Sequence, residues 1–561
     1  MKNETLPCEK RPSLVKATSK LSLMVFLACA LTLASPSDAR HSEKGSAAMK
    51  SDNRAAIRLN IAQNPLSLDP RDVASRRDAI IPRMLMEGLT RLDQDENPSP
   101  AMAESIEISD DGLIYTFHLR NALWSDGQPV TARDFEYGWK SALLPQFGQV
   151  CPDIFFPIQN ARAALEGRLP VDFLGARATN AKTFVVYLEH PCPIFLEFCT
   201  HPAFSPIRQE IDEKNPRWSR SPATYISNGP FRLVKWADDE EIAVEKNPLY
   251  WDAKSVGLDE IHLSMLQEAT AVLSLFEEKQ LDWAGLPLSE LPRDALPSLK
   301  RNGQLEIDPT ATLYCYHFNM KRPPFDSLKM RQAFVYALDM GEAVLHLLGG
   351  GETVATSLLP ASLTQYHEPL LTQPELKAER ERAAIRLFEE ALQEQGYTRE
   401  SLPPITICYS MVEGYKAFTE CAQSRWASLF QIPIQLQGSD PKFFLAEAMK
   451  KEGQITAFSW CSWFNDPYSL LSTYRDLSGS HNFSNVNLPE FTRLLWEGHK
   501  KLLPSQRKEV FAQAEELLMS HYPAAPAFNG TLLYVKNPQL QGVVIPRSGW
   551  VDFKWASLAH S

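Results

Sequence analysis

The sequence predicts a multidomain α/β protein. Three observations carry that reading. A chain of 561 residues is too long for one hydrophobic core and fits two to four domains. Strand-type and helix-type patterns alternate along its second half. An earlier stretch combines tight turns, strict alternation and a helix-capping signal. The balance of 44% hydrophobic and 22% charged residues is that of a globular protein. With 57 Lys+Arg against 68 Asp+Glu, the net charge of -11 argues against a nucleic-acid partner, which needs a basic face. The 41 Pro imply defined loops, and the 12 Trp imply buried apolar walls or pockets.

The chain opens with Lys2, Lys10, Arg11, Lys16 and Lys20, then an apolar run over 21–34, then Ser35-Pro36-Ser37-Asp38-Ala39. The run is too short to span a bilayer and suits the core of an export signal. Cleavage after Ala39 makes residues 1–39 a signal peptide. A second reading takes Phe26-Leu27-Ala28-Cys29 as a degenerate lipoprotein box, with the signal ending at residue 28 and Cys29 lipidated. Both readings place the protein outside the cytoplasm. Residues 40–55 are small and polar, as in a tether. Of nine Cys, Cys8 and Cys29 lie in the signal region. The other seven (Cys151, Cys192, Cys199, Cys315, Cys408, Cys421 and Cys461) are odd in number, so at least one is unpaired within the chain. Buried apolar roles are expected for most of them.

Residues 56–61 alternate as a strand, and 83–89 read as a helix ending near Gly88. Asp110-Asp111-Gly112 is a hairpin turn. The following 113–119 strand places Tyr115, Phe117 and Leu119 on one face. Trp124 to Pro129 form another turn. Thr131 then caps a helix, with Asp134 placed to return the bond and Phe135, Trp139 and Ala142 facing the core. Asn228-Gly229-Pro230 leads into a strand, and 247–251 is a turn anchored by Tyr250 and Trp251. Further along come a β-rich run at 312–320, a long helix at 330–348 closed by Gly349-Gly350-Gly351, and a helix at 378–394. Buried strands follow at 405–409 and 455–460.

Sequence signatures of catalysis are missing. There is no GxSxG, GxxxxGK[ST], HExxH or GxGxxG pattern. Gly349-Gly350-Gly351 terminates a helix and follows no strand. Cys192, Cys199 and His201 match no zinc spacing, and prolines interrupt them. Asp110 and Asp111 fit a solvated turn better than an acid/base pair. No enzyme activity, cofactor or metal is expected.

The order of these pieces identifies a resemblance. Ala103-Glu104-Ser105, Asp111-Gly112-Leu113, Tyr115 to Arg120, Trp124-Ser125-Asp126-Gly127-Gln128-Pro129-Val130-Thr131-Ala132 and Asp134-Phe135 resemble the oligopeptide-binding branch of the family 5 solute-binding proteins of ABC importers. So do Ser227-Asn228-Gly229-Pro230-Phe231, Asn247-Pro248 with Tyr250-Trp251, 275–282, Pro323-Pro324-Phe325-Asp326 and Arg331-Gln332-Ala333. The likeness runs from about residue 57 to the C-terminus. It implies a two-lobed α/β periplasmic-binding-protein clamp of three domains (cluster C type). Domain I takes 56–75, 204–312 and 528–561, domain II is an insertion at 76–203, and domain III is 313–527. Hinge crossings are expected near 312–314 and 526–528.

The resemblance further implies a monomer that captures peptides and hands them to the permease subunits of an importer. An extended peptide adds as a strand between two edges. One edge is 457–461, with Ser459, Trp460 and Cys461. The other is 62–66, with Asn64, Pro65 and Leu66. Tyr415, Trp463 and Asp466 complete the implied ligand-binding set. Many relatives place an Asp, which pairs with the ligand ammonium, where this chain has Trp463. The family also pairs the Cys461 position with a Cys near residue 312; here that residue is Thr312, and Cys315 lies three residues on. Trp463 keeps open a second class of ligand in the same fold: a cell-wall peptide, a metal chelate or a glycan. An extracytoplasmic chaperone or adhesin is a third reading, and a hydrolase a fourth.

Overall fold

The computed structural model describes residues 54–559, apart from 66, 74, 148–151, 361–362, 364–376, 413 and 476–480. The signal with Cys29, the tether up to residue 53, and also Leu66 and Cys151, lie outside the described residues. Three sheets of four or more strands organise the rest. In the first, strand Ala56–Asn60 runs parallel to Glu260–Ser264, which continues antiparallel through Glu241–Lys246 to Phe231–Ala237. The second orders Ala103–Ile108, Ile114–Leu119, Thr183–Tyr187 and Ala176–Asn180, all antiparallel. The third has seven strands. Its path runs from Trp283–Gly285 through Ala524–Lys536, Glu306–Phe318, Ile455–Cys461 and Ile405–Ser410 to Ile434–Ser439, with Thr353–Val354 added on Ala524–Lys536.

Local chemistry explains the elements that were legible. Gly112 makes the hairpin turn at φ 68°, and Tyr115, Phe117 and Leu119 are buried as the alternation requires. Helix Ala132–Ala142 starts at Thr131, whose backbone N–H donates to the Asp134 carboxylate at 2.8 Å. Its Trp139 ring meets Phe184 and Phe204 edge-on at 4.9 and 4.7 Å, and the indole N–H donates to the Phe204 carbonyl at 2.8 Å. Burying the ring and satisfying its N–H together fix the helix on the sheet.

Two helix expectations need correcting. The helix expected at 83–89 runs Arg76–Leu85, because Ser75 caps it by accepting the Asp78 N–H. Gly88 does not end it. The chain is already extended at Met86, and a Cβ at Gly88 would come within 2.6 Å of the Cys199 carbonyl oxygen. The single helix expected at 330–348 is interrupted. Leu328–Ala337 stops at Leu338, Asp339 takes the Gly341 N–H, and a new turn leads into a π-helical Val344–Leu348 closed by Gly349 at φ 66°.

The two longest strands, Glu306–Phe318 and Ala524–Lys536, are antiparallel neighbours. Their register shifts between Pro309 and Leu313 and again between Tyr314 and Cys315. Pro309 cannot donate to a ladder, and such irregularities bend and twist a strand pair. The two segments expected as crossings face each other there, with Tyr314 opposite Phe528.

Candidate functional site

Strand Ile455–Cys461 sits inside the seven-stranded sheet but is only half covered. On one side it pairs along its length with 312–318, Thr312 lying opposite Cys461 and Tyr314 opposite Ser459. On the other side only Ile455 and Thr456 pair, with Ile407 and Cys408. Residues 457–461 therefore present an edge with no strand partner among the described residues. Such an edge offers backbone N–H and C=O groups to an incoming strand.

Side chains alternate about this edge. Ser459 and Cys461 lie on the face of Tyr314 and Thr312. The Ser459 side chain counters the upward push of burial on the Tyr415 phenol, whose ring lies 4.9 Å from that of Tyr314. Burial pushes the Tyr415 phenol and the Cys461 thiol up; the Arg76 charge and the Thr312 hydroxyl draw the thiol back. Trp460 points the other way, its ring 4.6 Å from His481 and 5.8 Å from Phe458, packed against the core that holds Leu313 and Cys315. The packing role set against ligand contact for Trp460 accounts for its ring. Its indole N–H is buried without a hydrogen-bond partner among the described residues.

Past the strand, Trp463 is half-buried in an aromatic seam. Its ring lies 5.0 Å from Trp550 and 5.3 Å from His201, beside Val73 and Ala79. Its carbonyl accepts the Trp550 indole N–H at 3.1 Å. Burial and the nearby Arg83 charge push His201 down to about 3, so its ring is neutral. Asp466, in the implied ligand set, is buried and paired with Arg507, and it also accepts the Tyr468 N–H at 2.9 Å. That pairing engages the Asp466 carboxylate within the fold. Asn64 donates to Asp238 at 3.1 Å and accepts from the Trp236 indole at 3.0 Å, so its amide is engaged within the first sheet region. Pro65 follows it, and Leu66 lies outside the described residues.

Four residues around this site carried no readable signal in the sequence. Glu197 accepts the Asn465 N–H at 2.7 Å, and burial with the charges of Asp466 and Glu96 pushes its carboxyl up to about 7. Trp550 and His201 form the seam with Trp463. Arg76, first residue of helix Arg76–Leu85, donates to the Thr312 hydroxyl at 3.1 Å. Each comes from a segment remote from 455–466 in the chain. All six described cysteines are free thiols: Cys192, Cys199 and Cys315 are buried as small packing residues, Cys408 and Cys461 are half-buried, and Cys421 is exposed, so buried roles hold for half of them and not most. Cys315 lies opposite Phe458 and not Cys461, so no bridge forms at the position the resemblance implies.

Comparison with known proteins places this arrangement. Residues 97–482 match the family described as "Bacterial extracellular solute-binding proteins, family 5 Middle". The chain is 32% identical over 507 residues to the oligopeptide-binding protein OppA of Bacillus subtilis, covering 90% of this chain and 93% of that protein. It is 29% identical over 484 residues to the periplasmic oligopeptide-binding protein OppA of Salmonella typhimurium, covering 85% and 87%. The crystal structure of Haemophilus influenzae OppA in complex with RPPGFSPFR superimposes with a TM-score of 0.77 at 25% identity, over 91% of this chain and 100% of that one. The two relatives and the superimposed structure each cover 85–91% of this chain, and the family match spans well over half of it; the chain belongs to family 5 of the bacterial extracellular solute-binding proteins.

Proposed function

We propose that this protein is the extracytoplasmic binding component of a peptide ABC importer, capturing extended oligopeptides and delivering them to the permease. The uncovered edge at 457–461 beside Tyr415 is the observation that carries the reading. Main-chain pairing along it gives affinity without demanding a particular sequence, and side chains enter wet pockets. The OppA relatives bear names that state oligopeptide binding, which supports the same ligand class here. Ser459, Cys461 and Tyr415 contact the peptide, Trp463 bounds its first residue, and the 62–66 segment forms the second edge.

The division into domain I at 56–75, 204–312 and 528–561, domain II at 76–203 and domain III at 313–527 goes with this reading. The strand irregularities at 309–315 support hinges at the two crossings, where a few residues absorb the rotation of the lobes. The protein turns nothing over, acts as a monomer, and reaches its site by export. The intact mass of the exported protein separates the two export routes: a chain starting at Arg40, or an acylated one starting at Cys29. A mass that includes Met1 contradicts both.

Titration with short peptides tests the function. Binding that survives scrambling of the side chains is expected, together with a stabilisation of about 2.7 kcal/mol at a hundredfold excess over the dissociation constant. Failure of every peptide to bind, or fragments that accumulate with the purified protein, contradicts it.

A further inference from the structure

Arg76 stands at the Cys461 end of the uncovered edge, with no anionic partner among the described residues. Its guanidinium donates to the neutral Thr312 hydroxyl, which lies opposite Cys461, and its charge acts on the Cys461 thiol. No ion pair to Arg76 exists among the described residues. Its position is built into the fold. The guanidinium lies over Gly549, at φ 74°, where a Cβ would fall 1.8 Å from Nη1. Any other residue at 549 would push Arg76 out of place.

The acids of this end are engaged elsewhere. Asp466 is paired with Arg507, Asp552 with Arg91 and Arg83, and Glu197 accepts the Asn465 N–H. Arg77, next in the chain, pairs with Glu290 at 3.8 Å. This end holds a fixed guanidinium, indole rings and a neutral imidazole. A ligand ammonium would meet a like charge here. A carboxylate would meet a planar donor suited to bidentate pairing.

Resting on the peptide-capture reading, we propose that the ligand carries a carboxylate at the end that lies against Trp463, and that Arg76 receives it. The preferred ligands are thus acidic, N-blocked peptides or peptides with a carboxylate in place of the free amine.

One peptide in three forms tests this by calorimetric titration: free amine, N-acetyl and N-succinyl, the last adding a carboxylate. The succinyl form is expected to bind at least about tenfold tighter than the acetyl form, the range of a charge-assisted hydrogen bond. Arg76→Gln should bring the two within about twofold while leaving the acetyl affinity in place, and Arg76→Lys should keep part of the preference. Arg77→Gln should leave the preference whole, which separates a site from the general positive charge of this end. Equal binding of succinyl and acetyl forms, or a preference that persists in Arg76→Gln at an unchanged melting temperature, overturns the assignment of Arg76 and leaves peptide capture standing. No binding of any form overturns both.

Discussion

Asp552→Ala should destabilise the protein by about 3–5 kcal/mol, the cost of breaking a buried ion pair from one side. Asp552 is buried and accepts from Arg91 Nε and Nη2, both at 2.8 Å, with Arg83 3.5 Å away. Burial alone would raise its carboxyl. The charge and hydrogen bonds of Arg91, then the charge of Arg83, outweigh burial and hold it down at about 2. Removal leaves two buried guanidiniums, of which Arg91 keeps Glu87 at 3.3 Å. Because the folded carboxyl titrates below the ordinary carboxylate range, its stabilisation is complete above about pH 4 and is lost as pH falls toward 2. Denaturant unfolding at pH 7 and pH 3 checks this. The gap between wild type and Asp552→Ala should be wide at the first and narrower at the second. A mutant as stable as wild type at pH 7 contradicts the network.

Trp463→Asp should change which peptide ends are accepted. The native protein is expected to bind free and N-acetylated versions of one peptide within a few-fold, since the described acids nearest Trp463, Asp466 and Glu197, are engaged within the fold. The substitution should favour the free amine by roughly tenfold or more, a charge-assisted bond being worth about 1.5–3 kcal/mol. Packing alone makes a different forecast. Replacing the indole among Val73, Ala79 and Trp550 would lose its packing, lowering stability without altering selectivity. Titration of both peptides against both proteins separates the two. If acetylation abolishes binding to the native protein, another acid holds the ammonium and the role given to Trp463 fails.

Much of the architecture was readable because its signals are local. The hairpin at Gly112, the box at Thr131 and Asp134 and the strand Ile455–Cys461 all depend on neighbours within a few residues. The family motifs then supplied the order that local signals lack. Helix Arg76–Leu85 was misplaced because its Pro82 reads as a breaker in a one-dimensional pattern. The break at Leu338 was missed because apolar spacing continues across it, whereas Asp339 and Gly341 set the turn.

The site divides the same way. Ser459 and Cys461 share one face of strand Ile455–Cys461, and Tyr415, the first residue of helix Tyr415–Phe430, packs its ring on Tyr314 of that same face. The partners of Trp463 could not be read. His201 and Trp550 are brought to it by tertiary folding, with Trp550 87 residues further on. Arg76 is cradled by Gly549 through the same kind of contact. Asp466 looked available in the sequence, and only the position of Arg507 shows it engaged.

Peptide capture by strand addition at 457–461 is tested most directly by removing backbone donors from the ligand one at a time. N-methylation of alternate amides in a bound peptide should cost at least about tenfold at those facing the edge and little at the others, because a methylated amide cannot donate and leaves its acceptor unpaired. An alternating profile with period two is the predicted result. A flat profile, or one that follows the side chains instead of the amides, would contradict it.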